Sequence, residues 1–348
     1  MDTYQLREDL EFEQLPTQEK INYFTAIAYK ALRYWRIPQE STLTLINYTE
    51  NATFEVCYQE EKWIIRIHRL WYTDKEAVLS EMDWISALSD VICVPRPIIS
   101  VDNEFTIEIN TKFGKRVVDC FKFEDGFALT FNDKVDFEEL GRIIANMHTV
   151  SEKYERPRYY KRIDWDLNRT FSANNNFHNE WYVDNIYLNK TEKDWISSAV
   201  SIISNRINKY GKNCKNYGLI HSDCRFANIL NNDGEYILLD FDDFGEGWYV
   251  YDLASVFGFN ENHPYMREAS RRLISGYQEI RKLSAEDVDL FDTFLLFRRI
   301  GLIGTGMFFE KYAVCGDGET LNAIEEWHDF YHETAKAAKR YVNKYLRC

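Results

Sequence analysis

The sequence predicts an α+β fold, with a smaller β-rich N-terminal part and a larger, mainly helical C-terminal part. Three observations carry this. The runs Leu43 to Tyr48, Thr53 to Tyr58 and Lys62 to His68 are rich in β-branched and aromatic residues, and the last two are separated only by Gln59-Glu60-Glu61. Beyond Gly126 apolar residues recur at helical spacing, as in Leu140, Ile144 and Met147. Between helical stretches lies Gly218 to Asp243, GLIHSDCRFANILNNDGEYILLDFDD, where short apolar runs flank the turn Asn231-Asn232-Asp233-Gly234.

Composition fits this outline. The 348 residues, 45% hydrophobic and 28% charged, suffice for two cores. A formal net charge of −14 argues against nucleic acid as a partner and would suit a cationic substrate, although surface solubility explains it equally well. The cysteines at 57, 93, 120, 214, 224, 315 and 348 form no C-x-x-C pair, so reduced thiols are expected rather than a zinc site. The start Met-Asp-Thr-Tyr-Gln-Leu-Arg-Glu does not read as a secretory signal, and no apolar run is long enough to span a membrane. A cytoplasmic location is expected.

In chain order, a helix is expected from Thr17 to about Trp35, burying Ile21, Phe24, Ala28 and Ala31 on one stripe. The three strands follow. Arg66 lies inside the third, Trp63-Ile64-Ile65-Arg66-Ile67-His68. Alternation allows it a wet face, where it needs no explanation, or a buried one, where it needs an anion. Thr73-x-x-Glu76 reads as a capping box for a helix whose apolar face is Ala77, Val78, Met82, Ile85 and Leu88. Glu81 falls on or beside that face, either as a boundary residue reaching water or as a partner for a cation. Val94-Pro95-Arg96-Pro97 breaks the helix, and strands are expected near Ile98 to Val101, Phe105 to Ile109 and Val117 to Phe123.

Asp136-x-x-Glu139 opens the next helix, in which His148 lacks partners at metal-ligand spacing and reads as structural. An aromatic-rich segment, including Trp165, Phe171, Phe177 and Trp181, has no clean period and could wall a substrate or form an insertion. Helices are expected from Trp195 to about Tyr210, after Asp252, from Tyr265 to about Leu283, from Asp287 to Phe309 and from Leu321 to about Tyr345. The buried-looking Arg298 and Arg299 could meet an anionic substrate group or, more ordinarily, an internal carboxylate. Asp243, Glu246 and Trp248 sit in a glycine-flanked segment that a substrate could meet.

The chemistry resides in Asp223, Asn228 and Asp240. Moving a phosphoryl group requires an attacking hydroxyl held in line and hard oxygen ligands for Mg²⁺ from few side chains. Asp223 fits the first need, and Asn228 and Asp240 the second. Taken singly, such residues would only cap turns or end a strand.

The pattern His221-Ser222-Asp223, four residues, Asn228, and then Leu238-Leu239-Asp240-Phe241-Asp242-Asp243 resembles the aminoglycoside phosphotransferase and choline kinase family, whose members share a kinase-like bilobal fold. The resemblance implies that Asp223 is the catalytic Asp, that Asn228 and Asp240 are Mg²⁺ ligands, and that His221 is a scaffold residue. Tyr251-Asp252-Leu253-Ala254 looks like the family's following segment, with Asp252 bracing the catalytic loop. Ser222 stands where glycine is more frequent, which matters only if that residue needs a positive φ.

By the same resemblance the turn Tyr48-Thr49-Glu50-Asn51-Ala52, which has no glycine, would cover the ATP phosphates and place Asn51 there. Arg66 would take the phosphate-binding Lys position, Glu81 would be its ion-pair partner, and the backbone of Cys120, Phe121, Lys122 and Phe123 would meet the adenine. The boundary would fall near Gly126, giving a nucleotide-binding lobe 1–125 and a catalytic and substrate-binding lobe 126–348.

The expected activity is transfer of the γ-phosphate of Mg·ATP to a hydroxyl of a small polar molecule, with cationic acceptors (an aminoglycoside, an amino alcohol or a homoserine-like compound) suiting the charge. The first alternative is a stress-response serine/threonine protein kinase, whose relatives also carry Asp-Phe-Asp-Asp as at 240–243. A non-catalytic nucleotide-binding protein is the second.

Overall fold

The computed structural model describes residues 11–12, 14–48, 51–69, 74–172, 181–312 and 318–345. The chain divides into two compact units. The first comprises residues 1–127, Glu155–Arg162 and Leu230–Asp242, and the second Ala128–Tyr154, Ile163–Ile229 and Asp243–Cys348.

In the first unit, helix α1 (Thr17–Leu32) buries Phe24, Ile27, Ala28, Ala31 and Leu32. Ile21, expected on that stripe, is only half-buried, because the stripe turns towards Ile27. Strands β1 (Thr42–Tyr48), β2 (Asn51–Tyr58) and β3 (Glu61–His68) form an antiparallel ribbon. Helix α2 (Lys75–Leu88) precedes strands β4 (Thr106–Thr111) and β5 (Gly114–Lys122), and the sheet order is β1-β2-β3-β5-β4. Asp74 caps α2, its Oδ1 accepting from Ala77 N at 3.0 Å, and the expected cap Thr73 lies outside the described residues.

The strand expected near Ile98 to Val101 does not form. Pro95 and Pro97 remove two amide donors, so this edge meets β5 only through an isolated bridge at Pro97 and the bonds Lys122 N to Arg96 O (3.0 Å) and Ile98 N to Cys120 O (2.8 Å).

Alternation along β3 and β5 gives the sheet two different faces. Ile65, Ile67, Val118 and Cys120 join the apolar core with α1, while Arg66, His68 and Asp119 fall on the opposite face. The strands Ile229–Asn232 and Glu235–Leu238 form a hairpin whose turn residues Asp233 (φ 50°) and Gly234 (φ 98°) are both left-handed, as a two-residue hairpin turn requires.

The second unit is mainly helical. Helix α3 (Phe137–Lys153) starts at Asp136, whose Oδ1 accepts from Glu139 N at 3.2 Å. Helix α4 (Lys190–Tyr210) begins five residues earlier than expected, because Asn189 and Glu192 form a capping box. Strand β6 (Tyr217–Ile220) pairs antiparallel with β7 (Gly245–Trp248), which also pairs in parallel with Ile163–Asp164.

Helices α5 (Tyr249–Ser255), α6 (Met266–Ile280), α7 (Phe291–Tyr312) and α8 (Gly318–Tyr345) complete the unit. The helix expected from Asp287 to Phe309 is two: a Ser284–Asp287 capping box starts a short helix that ends at the buried Leu290, and α7 begins after it. Helices α3 and α6 touch backbone to backbone. A Cβ on Gly141 would lie 2.1 Å from Leu273 O, and one on Gly276 would lie 1.9 Å from Glu138 O. No helix among the described residues is long and apolar enough to cross a membrane.

Candidate active site

In the first unit the site begins with cross-strand register. Arg66 on β3 pairs with Asp119 on β5, which sets both side chains on one face beside Glu81 of α2. Arg66 Nε donates to Asp119 Oδ1 (3.2 Å), and Nη2 donates to Asp119 Oδ2 and Glu81 Oε1, both at 2.8 Å. The guanidinium lies 4.8 Å from the Phe121 ring centroid. His68 Nε2 approaches Asp119 Oδ2 at 2.8 Å.

Arg66 is therefore buried with an anionic partner. The expected Glu81 pair is present, and Asp119 is a second carboxylate that the sequence did not single out. Burial pushes the Glu81 carboxyl up to about 7 against the pull of Arg66, whereas Arg66 and His68 overcome burial at Asp119 and hold it near about 2. Glu81 Oε2 has no hydrogen-bond partner among the described residues.

Asn51 was expected in the turn before β2 and stands where that turn meets the strand. It is the first residue of β2, paired with His68, and its Nδ2 donates to Asp242 Oδ2 at 2.7 Å. Thr49 and Glu50 of that turn lie outside the described residues. Asn51 Oδ1 and Asp242 Oδ1 are buried without a hydrogen-bond partner among the described residues.

Arg162 was also unread in the sequence. Its Nη1 donates to Ala77 O at 3.2 Å, and its Nη2 donates to Asp242 O, tying α2 to the Asp-Phe-Asp-Asp string. Asp240 in that string is exposed and takes φ 60°, a left-handed conformation uncommon outside glycine.

The expected adenine contacts are partly consumed by the sheet. Lys122 N and Phe123 N are committed to Arg96 O (3.0 Å) and Lys62 O (3.4 Å), and Cys120 O accepts from Ile98 N at 2.8 Å. Phe121 is bridged to Pro97 and in register with Ile64.

In the second unit the loop after β6 is built around Asp252. This residue, fully buried on α5, accepts from His221 N (Oδ2, 2.8 Å) and Ser222 N (Oδ1, 2.6 Å), and lies 3.0 Å from His148 Nε2. His148 is thus structural; its other ring nitrogen meets Tyr277 OH at 2.9 Å. Ser222 does need a positive φ, 69°. Its Oγ donates to Asp243 O at 2.7 Å, and its carbonyl accepts from Arg298 Nη1 at 2.6 Å, which together hold the strained residue in place. His221 Nδ1 accepts from Asp223 N at 3.3 Å.

The Asp223 carboxylate is gripped on both oxygens. Oδ2 accepts from Arg225 Nε (3.0 Å) and Asn228 Nδ2 (2.9 Å), and Oδ1 is paired with Arg298 Nη2. Burial acts to raise its pKa, but Arg298, Arg225 and His221 outweigh burial and keep it below the usual carboxylate range. Because Asn228 Nδ2 is used on Asp223 O and Oδ2, its Oδ1 is left to accept or ligate. The Arg298 alternative that holds is the internal salt bridge. Arg299 likewise pairs with Glu261 at 2.5 Å.

Trp165 Nε1 donates to Asp243 O at 2.7 Å and its ring stacks on Tyr251 (6.3 Å), while Phe171 packs on Trp181 (5.8 Å) and Phe297 (5.0 Å). Phe177 lies outside the described residues.

Comparison with known proteins accords with this geometry. Amicoumacin kinase of Bacillus subtilis (strain 168) is 22% identical over 269 residues, 73% of this chain and 76% of that protein. The structure of a microcompartment-associated aminopropanol kinase is 27% identical with a TM-score of 0.81, covering 92% of this chain and 98% of its own. A second amicoumacin kinase, solved with AMP-PNP, Ca²⁺ and Ami, is 19% identical with a TM-score of 0.67, covering 89% and 92%. The family model described as "Phosphotransferase enzyme family" matches residues 42–287, well over half of the sequence, so the chain belongs to that family of kinase-like phosphotransferases.

Proposed function

We propose that this protein transfers the γ-phosphate of Mg·ATP to a hydroxyl of a small polar molecule, with an amine-bearing acceptor such as an amino alcohol, a homoserine-like compound or an aminoglycoside. The observation that carries the reading is the Asp223 carboxylate, ionised and gripped by Arg225, Asn228 and Arg298. A fixed carboxylate of this kind accepts a hydrogen bond from the incoming hydroxyl and aims its oxygen at phosphorus. The new bond joins that oxygen to the γ-phosphorus, the bond to the bridging oxygen breaks, and ADP leaves with the electron pair. The hydroxyl proton passes towards Asp223 late in the transfer.

Nucleotide binding is assigned to the other group of residues. With Arg66 Nε and Nη2 committed to Asp119 and Glu81, Nη1 is the donor left for a phosphate oxygen. Asn228 Oδ1 and the exposed Asp240 carboxylate are the hard oxygens suited to Mg²⁺, and the orphaned Asp242 Oδ1 is a further acceptor near that string. The metal, when bound, would neutralise phosphate charge. Because Lys122 N and Phe123 N are occupied, the adenine edge is assigned to the backbone of Glu124, Asp125 and Gly126, just beyond β5. The lobe boundary near Gly126 and the cytoplasmic location belong to this same proposal.

The small-molecule reading draws on the relatives named above, one an aminopropanol kinase and two amicoumacin kinases. Calorimetric titration with ATP, with and without Mg²⁺, tests the binding half; a folded protein with no affinity at millimolar nucleotide would favour the non-catalytic alternative. An ATP-consumption screen against amino alcohols, aminoglycosides, homoserine, sugars and nucleosides, beside a basic protein control, tests the acceptor. Saturable transfer to protein serine or threonine alone would install the protein kinase alternative instead.

A further inference from the structure

We propose that Arg298 is the positioning residue that fixes the location of the Asp223 carboxylate. The proposal rests on the reading of Asp223 as the hydroxyl-facing group. Arg298 projects from α7 and is only 7% exposed, so its cation must be matched by an anion. Its planar fork spans two consecutive residues: Nη1 donates to Ser222 O at 2.6 Å and Nη2 pairs with Asp223 Oδ1. A lysine has the charge but not the fork. Arg298 thus grips the strained Ser222 turn, at φ 69°, and the carboxylate next to it.

Counting acceptor sites gives the consequence. A carboxylate offers about four lone-pair directions. Arg225 and Asn228 use both on Oδ2, and Arg298 uses one on Oδ1. The direction left, on Oδ1, is the one available to an acceptor hydroxyl.

The test uses the full chain and the variants Arg298→Met and Arg298→Lys, read in two ways. The first is calorimetric affinity for Mg·ATP, and the second is the rate of ADP formation from Mg·ATP, with water or 1-amino-2-propanol as acceptor, resolved into kcat and the KM for Mg·ATP. In Arg298→Met kcat should fall about 10²-fold, while Mg·ATP affinity stays within about threefold. Arg298→Lys should leave kcat about tenfold down, because charge returns without the fork.

A folded Arg298→Met with unchanged kcat, or one whose kcat and Mg·ATP affinity fall together, overturns the proposal, as does Arg298→Lys with the full wild-type kcat should the Met variant fail to fold. Absence of Mg·ATP binding in the wild type would sink the phosphotransfer reading instead, whereas loss of turnover in Arg298→Met with Mg·ATP still bound concerns Arg298 alone.

Discussion

The buried cluster of Arg66, Glu81, Asp119 and His68 permits a comparison of two isosteric substitutions. Asp119→Asn removes the carboxylate that holds Arg66 through both Nε and Nη2, and also the partner of His68. Breaking a buried ion pair costs about 3–5 kcal/mol, and the low end applies above about pH 7, where Glu81 is ionised and still balances Arg66. Glu81→Gln loses one contact, at 2.8 Å to Nη2, from a carboxyl that burial already pushes up to about 7. An amide there still accepts from Arg66, so the cost should be about 1 kcal/mol.

The pH dependence separates the two variants further. Between the ordinary carboxyl value of 4.5 and about 7, the native state retains a proton on Glu81 that the unfolded chain has released, so this group makes stability fall as pH rises through that window. Its slope is at most about 1.4 kcal/mol per pH unit, and Glu81→Gln should abolish it. Asp119 is depressed to about 2, so its contribution is present above 3.8 and lost only as pH falls through about 2. Urea denaturation followed by Trp fluorescence at pH 5 and pH 8, with the m-value checked for constancy, measures the cost of each substitution and the slope due to Glu81. A larger loss for Glu81→Gln than for Asp119→Asn would refute the assignment of Asp119 as the principal counter-ion.

The remaining predictions concern the loop, the helix contact and the metal-facing residues. Ser222→Ala keeps the φ of 69° and loses the bond to Asp243 O, so it should cost about 1 kcal/mol; Ser222→Gly loses the same bond but relieves the strain, and should melt within about 0.5 kcal/mol of wild type. Gly276→Ala drives a Cβ to 1.9 Å from Glu138 O and should destabilise by about 3 kcal/mol in a chemical melt; a neutral result would mean that α3 and α6 can separate freely. Burial lowers the His148 pKa despite Asp252, so below about 6.5 the unfolded chain takes up a proton that the native state refuses, and stability should decline with acidification. His148→Asn should flatten that part of the pH profile. Asp240→Ala should abolish Mg²⁺-dependent transfer while sparing metal-free nucleotide binding by calorimetry. Asn228→Ala should lower turnover as well as metal affinity, since Nδ2 also holds Asp223 at 2.9 Å.

Local signals were sufficient for much of this protein. Runs rich in β-branched and aromatic residues located β1 to β3, the Asp136 cap located the start of α3, and the Asn231 to Gly234 string located the hairpin, because each depends on neighbours within a few residues. The spacing of Asp223, Asn228 and Asp240 pointed to phosphoryl transfer, since the chemistry dictates the residue types. Helix starts were misplaced where a cap such as Asn189 lay upstream of the apolar run, and the strand near Ile98 failed where two prolines removed its donors.

What tertiary structure alone decided is which charges meet. Asp119 reaches Arg66 through a register 53 residues apart in sequence, and Arg298 reaches Asp223 across 75. Arg162 reaches Asp242 across 80. No periodicity or propensity encodes such pairings, because they follow from how strands and helices pack. The balance between burial and those contacts then sets the proton affinities: burial wins at Glu81, and the neighbouring cations win at Asp119 and Asp223.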